Sequence, residues 1–335
     1  MVRSIGVIGA GGWGTALAKL LAEKTPFVTL WCHSAETHRI IQENRENRTY
    51  LPGIRLPDRI AVTCSIEQAV AEKDMVFCAV PSHGVRSVMT SAGPFLRPRT
   101  QLVCGTKGLE EDTLKTMGEA LTEIFGAAEK RSHAFLSGPT FALEVAQGLP
   151  AAVTVAAYAD EVARDIQETL STESFRVYTS SDVIGVQMGG VIKNVIAIAA
   201  GISDGLELGY NARAALITRG LAEMTRLAVA MGAEPTTLAG LPGLGDLVLT
   251  CTGHLSRNRQ VGVQIGRGEN LQKISAGMKM VAEGIRNTRS IYFLAKRLEV
   301  EMPIVAQMYA VLYESKRPLD AVRDLMLRSL KPENP

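Results

Sequence analysis

In the first half of the chain, short runs of apolar and β-branched residues alternate with stretches whose apolar positions recur every three or four residues. Ser4–Ile8, Phe27–Cys32, Met75–Val80, Gln101–Cys104, Ala134–Ser137 and Ala151–Ala156 read as strands, and Phe175–Tyr178 fits a further strand at an edge. Helical spacing lies between several of them, as in Thr15–Glu23, Ile66–Ala71 and Thr113–Phe125. Strands alternating with helices predict a parallel sheet wound on both faces. After about Asp182 the strand-like alternation stops. Long helical patterns take over: Val183–Ala200, Ala212–Met231, Arg257–Ile265, Arg286–Leu298 and Ile304–Tyr313. The expected organisation is an α/β domain over 1–182 and an all-helical domain over 183–335, with Ser181-Asp182 as boundary and helix N-cap.

The apolar run Ile184–Ile202 is broken by Gln187, Lys193 and Asn194, so it reads as a buried helix and not as a membrane span. A length of 335 residues suits two domains, and 46% hydrophobic with 21% charged residues suits a folded globular chain. A net charge of +2 gives no argument for nucleic acid or stable membrane insertion, which usually need a concentrated basic patch. The five cysteines (Cys32, Cys64, Cys78, Cys104, Cys251) lack CxxC spacing and mostly sit in apolar runs. They point to reduced, buried thiols in a cytoplasmic protein, and away from a disulfide framework or a metal site. The N-terminal apolar residues run straight into a glycine-rich turn, unlike a signal peptide. The polar tail Lys331–Pro335 is expected to fray.

Gly9-Ala10-Gly11-Gly12-Trp13-Gly14 is a GxGxxG pattern, weak alone but here preceded by a strand and followed by a helix-forming run. That context predicts a dinucleotide site, and with it a Rossmann-type doubly wound parallel sheet. Gly9 allows the tight turn, Gly11 the approach of a pyrophosphate, and Gly14 close packing of helix on strand. The residues after the second strand, Trp31-Cys32-His33-Ser34, lack the acid that would hold the ribose of NAD. His33, with Arg39 in support, suits the 2′-phosphate of NADPH, with NAD also admitted; a plain exposed loop histidine fits the same position. Pro81, after Val80, stiffens the chain where it would face the nicotinamide, although a strand-ending proline looks alike.

Several further motifs follow in order: Cys104-Gly105-Thr106-Lys107-Gly108-Leu109, Ser137-Gly138-Pro139-Thr140-Phe141-Ala142, Gly189-Gly190-Val191-Ile192-Lys193-Asn194-Val195, Gly243-Leu244-Gly245-Asp246-Leu247, Ser256-Arg257-Asn258 and Val281-Ala282-Glu283-Gly284. With Gly9–Gly14 and Trp13, this ordered set closely resembles the bacterial NAD(P)-dependent glycerol-3-phosphate dehydrogenase family over nearly the whole chain. The resemblance implies a reversible hydride transfer between NAD(P)H and dihydroxyacetone phosphate, giving sn-glycerol 3-phosphate for phospholipid synthesis. It also implies a homodimer.

Lys193 lies deep in an apolar helical run, where an unpaired ammonium is costly. Helical side chains lean towards the preceding turn, where Gly189 and Gly190 are expected to leave open space for the lysine to enter a cleft. A snorkelling or salt-bridged lysine fits the local sequence equally well. The resemblance gives Lys193 the role of general acid/base and puts Lys107 at both substrate and cofactor. It assigns Gly138, Thr140, Asp246, Ser256, Arg257 and Asn258 to the substrate, with Arg257 also near the cofactor. Gly9, Gly11, Gly12, Trp13, Gly14, His33, Ala142, Val281 and Glu283 fall to the cofactor. Locally, Asp246 fits a helix N-cap as well, and Ser256-Arg257-Asn258 an ordinary cap with a surface arginine. Two other readings stand beside this one: a related hydroxyacid dehydrogenase acting on a carboxylate substrate, and a nicotinamide sensor without catalysis.

Overall fold

The computed structural model describes residues 3–277 and 282–333. Its first half forms one sheet from β1 (Ile5–Ile8), β2 (Val28–Trp31), β3 (Ile60–Thr63), β4 (Met75–Cys78), β5 (Gln101–Cys104), β6 (His133–Ser137), β7 (Ala151–Ala157) and β8 (Phe175–Ser180). The spatial order is β3-β2-β1-β4-β5-β6-β7-β8. The chain reverses its direction of travel across the sheet between β1 and β4, which opens a crevice at their carboxyl ends. β1, β2 and β4 are buried at every residue. Helices cover both faces, so these strands read as continuous apolar runs.

One pair departs from the expected all-parallel sheet: β6 and β7 run antiparallel. Between Ser137 and Ala151 the chain makes only the short helix Ala142–Ala146. It stays at the carboxyl edge of β6 and re-enters the sheet from that edge, whereas a parallel return would need a crossover along the whole strand. β3 was not expected from the sequence. At four residues, buried only at its two ends, it carries too little pattern to be seen.

The second half, among the described residues, is helical. Its inner helix, Val183–Gly205, starts where the Asp182 side chain accepts from the Gly185 N–H at 2.7 Å, the expected cap. The same carboxylate accepts from the Glu234 N–H at 2.9 Å and ties the helix start to a second segment. The inner helix is nearly all buried, and 94% of its most apolar window lies inside the protein. Gly201 and Gly205 face the helix Arg257–Gly266 so closely that a Cβ on Gly201 would stand 2.0 Å from the Arg259 carbonyl oxygen. Each Leu, Ile or Val sealed in this core contributes about 1.5–3 kcal/mol. Of the cysteines, Cys64 is exposed and the other four are buried.

Candidate active site

The glycine-rich turn sits at the carboxyl end of β1, and each glycine has a separate steric reason. Gly9 has φ +109, and a Cβ there would lie 2.9 Å from the Ala79 carbonyl oxygen. A Cβ on Gly14 would stand 1.9 Å from the Gly9 carbonyl oxygen, so the helix Gly12–Leu21 could not approach the turn. At Gly11 an added Cβ meets no atom of the described residues within 4 Å. That is the space a pyrophosphate needs beside the amides at the helix start. A Cβ on Gly12 would meet the Tyr50 carbonyl oxygen at 2.9 Å, with the Ala142 Cβ 3.8 Å away. Asn47, fully buried, donates to the Ala10 carbonyl and to the Thr15 hydroxyl, both at 2.8 Å, and fixes the turn. The Trp13 indole Nε1 is buried without a partner among the described residues, an unmet donor beside the crevice. These observations fit a bound dinucleotide.

His33 is exposed just beyond β2, its ring edge-on to Trp31 at 5.7 Å. Arg39, in the helix that follows, reaches Glu43 at 3.3 Å. Val281 lies outside the described residues. Glu283, two residues on, accepts from the Ser82 hydroxyl at 2.9 Å and joins the helical half to the start of the helix Ser82–Ala92 that follows β4.

Three charged side chains converge between the two halves. Asp246, fully buried, begins the helix Asp246–Thr252 directly after the π-helical turn Leu241–Gly245. Its Oδ1 accepts from Lys193 Nζ, and its Oδ2 accepts from Lys107 Nζ at 2.6 Å. Lys107 also donates to the Gly138 carbonyl at 3.2 Å, and Lys193 to the Thr250 hydroxyl at 3.0 Å. Burial pushes the Lys193 ammonium down to about 7, with the Lys107 charge adding to the push and Asp246 opposing it.

The space expected over Gly189 and Gly190 is filled. A Cβ on Gly189 would meet the Pro242 carbonyl oxygen at 2.3 Å, and one on Gly190 the Ser137 Oγ at 2.8 Å and Lys107 Cγ at 3.2 Å. The glycines admit the aspartate-bearing loop and the second lysine against the inner helix. The cleft is thereby a junction of side chains and not an empty groove. Ser137 Oγ is buried without a partner there.

Other expected residues surround this junction. Gly138 packs so tightly on β7 that a Cβ would lie 2.9 Å from Val153 Cα, and Thr140 donates to its carbonyl at 3.2 Å. Ser256 is the buried N-cap of Arg257–Gly266, accepting from the Arg259 N–H at 3.2 Å. Arg257, the first residue of that helix, is exposed and close enough to Glu283 to feel its charge. Asn258 donates to Asn194 Oδ1 at 2.9 Å and accepts from the Gly284 N–H at 3.0 Å, leaving one N–H for a ligand. Sequence reading missed Thr250, Asn47 and Ser82. Thr250 stands one helical turn beyond Asp246, a spacing that would have flagged it.

Comparison with known proteins gives a consistent result. A family model described as NAD-dependent glycerol-3-phosphate dehydrogenase N-terminus matches residues 4–163, and the corresponding C-terminus model matches residues 182–323. A relative from Citrifermentans bemidjiense named glycerol-3-phosphate dehydrogenase, NAD(P)+, is 57% identical over 333 residues, 99% of either chain. One of the same name from Syntrophotalea carbinolica is 54% identical, covering 98% of this chain and 99% of its own. The crystal structure of glycerol-3-phosphate dehydrogenase from Coxiella burnetii superposes with a TM-score of 0.93 at 39% identity, over 98% of this chain and 99% of that one.

Proposed function

The chain belongs to the NAD-dependent glycerol-3-phosphate dehydrogenase family, and from that premise we propose how its residues divide the work. The protein is an NAD(P)-dependent oxidoreductase that interconverts dihydroxyacetone phosphate and sn-glycerol 3-phosphate, the backbone for phospholipid synthesis. Whole-chain identities of 54–57% to enzymes of that name leave the hydroxyacid dehydrogenase reading without comparable support. In this reading residues 1–182 hold the dinucleotide, and 183–335 bring the substrate and the catalytic side chains to it.

The observation that carries the residue assignment is the pair of lysines on one buried carboxylate. The reduced nicotinamide supplies a hydride to the C2 carbonyl carbon when bound. Lys193 then stabilises the negative charge growing on the carbonyl oxygen and gives it a proton; in reverse its neutral amine takes the hydroxyl proton. A lysine held near 7 exchanges a proton in either direction at neutral pH. Asp246 orients Lys193, keeps part of it charged, and links it to Lys107, which reaches both ligands. Gly138, Thr140, Ser256, Arg257 and Asn258 frame the substrate, with Arg257 and the spare Asn258 N–H on its phosphate. Gly9, Gly11, Gly12, Trp13, Gly14, His33, Ala142, Val281 and Glu283 hold the cofactor.

A homodimer working in the cytoplasm belongs to the same reading, supported by the family resemblance. The test of the assignment is oxidation of NADPH and of NADH by the purified chain, dependent on added dihydroxyacetone phosphate. Tight cofactor binding without turnover would instead favour a sensor.

A further inference from the structure

Asn287 lies one turn into the helix Glu283–Arg297 and is 1% exposed. Its Nδ2 donates to the Lys107 carbonyl at 3.3 Å and to the Val191 carbonyl at 3.4 Å. One side chain therefore joins three elements: its own helix, the loop after β5, and the inner helix two residues before Lys193. Glu283 and Asn287 stand one turn apart on the same face. Glu283 takes the Ser82 hydroxyl at the start of the helix after β4, while Asn287 takes the loop after β5. Gly108 completes the fit, since a Cβ there would meet the Ser82 side chain at 2.4 Å and Asn287 Oδ1 at 3.2 Å. The loop after β5 thus has no room to shift towards the helix, and Asn287 keeps it from shifting away. Lys107 has a flexible stem, and two of its anchors, Asp246 and the Gly138 carbonyl, act only on the ammonium. Asn287 acts on its backbone.

We propose that Asn287 is a positioning residue for the reaction: by gripping the Lys107 and Val191 carbonyls together, it sets the separation of Lys107 and Lys193 around Asp246. An ammonium that must meet a ligand within hydrogen-bond reach is sensitive to displacements of about 1 Å, which can lower a rate about 100-fold. Asn287 itself touches no reacting atom. The inference rests on the assignment of Lys107 to the substrate and cofactor, and the test separates the two.

Asn287→Leu keeps the branched shape and the number of side-chain heavy atoms and removes both donated bonds, while Asn287→Ala removes the bonds and leaves a cavity. Each is assayed in the full-length enzyme as NADPH oxidation with dihydroxyacetone phosphate, alone and combined with Lys107→Ala. The expected result is a loss of about 10- to 100-fold in kcat/KM for dihydroxyacetone phosphate. The high-pH limb of kcat/KM should also move upward, because a displaced Lys107 no longer opposes the charge on Lys193, whose other charged neighbour is Asp246. A purely structural asparagine would not move that limb. In the Lys107→Ala background, Asn287→Leu should change kcat/KM by less than about twofold, since residues acting through one another are not additive. Wild-type kinetics in both Asn287 variants while Lys107→Ala is impaired would overturn the inference, as would losses that multiply in the double variant. Wild-type kinetics in Lys107→Ala itself would overturn the assignment of Lys107 instead.

Discussion

Lys193 and Lys107 hold opposite oxygens of one buried carboxylate, Lys193 on Asp246 Oδ1 and Lys107 on Oδ2. When Lys193 is protonated, two cations share one buried anion and the cluster carries a net positive charge. An oxygen gaining negative charge during reduction of a ketone would be stabilised there far more than in water. The lysines come from different halves of the chain, which makes the chemistry depend on the two halves remaining docked.

Removing the ammonium tests its role directly. Lys193→Ala should lower kcat for dihydroxyacetone phosphate reduction by about 10²–10⁴-fold, the usual share of a general acid. Cofactor affinity, measured by NADPH fluorescence, should stay near wild type because Lys193 is bonded to Asp246 and Thr250 and not to the glycine-rich turn. A variant with more than a tenth of the wild-type rate would sink the assignment.

The pH dependence has a definite sign. Reduction needs the charged lysine, so kcat/KM should fall as pH rises through about 7; oxidation of glycerol 3-phosphate needs the neutral amine and should rise over the same range. Asp246 raises this pKa and Lys107 lowers it. Asp246→Asn should therefore move both limbs to lower pH, and Lys107→Met should move them to higher pH. The substrate phosphate titrates identically in every variant, so shifts relative to wild type isolate the lysine. Limbs that do not move in opposite directions in the two variants would show that another group titrates.

His133 gives a stability prediction outside the active site. Its imidazole is fully buried on β6, neither nitrogen has a partner, and burial with the nearby Lys130 charge pushes it down to about 4. The unfolded chain binds the proton near 6.5 and the folded one does not until about 4. This residue's contribution is thus complete above the unfolded value and is lost as pH falls towards the folded one. The loss amounts to about 1.4 kcal/mol per pH unit, near 3 kcal/mol in all. His133→Phe removes the titration and both stranded nitrogens. Urea midpoints at pH 7.5 and 5 should drop less in the variant than in wild type; equal drops would refute the account.

How much of this was legible in the sequence depended on whether a residue broke its local pattern. Lys193 was visible because a charge in an apolar helical run is costly and demands a reason. The glycine-rich turn was visible because a strand and a helix framed it. Asn287 was invisible because its partners, Lys107 and Val191, lie far along the chain; the spacing of Thr250 from Asp246 could flag the residue but not its bond to Lys193. The antiparallel β7 was hidden for a similar reason, since strand direction is set by where the connection travels and not by the strand's own residues. Gly189 and Gly190 were recognised as small, but sequence could not say that Pro242, Ser137 and Lys107 would occupy the space.

Gly11 and Gly14 of the nucleotide turn should fail in different ways when replaced by alanine. At Gly14 the new methyl would collide with the Gly9 carbonyl oxygen at 1.9 Å whether or not cofactor is bound, so Gly14→Ala should lower the melting temperature and the cofactor affinity together. At Gly11 the methyl meets no atom of the described residues within 4 Å, so Gly11→Ala should fold with nearly the wild-type melting temperature. Among the described residues nothing stands in its way, so what it obstructs is a ligand on the open side of the turn. Its affinity for NADPH should fall by at least about tenfold, or about 1.4 kcal/mol. Calorimetric titration with NADPH alongside a thermal melt separates the two cases. If Gly11→Ala binds NADPH as tightly as wild type, the pyrophosphate does not cross this turn.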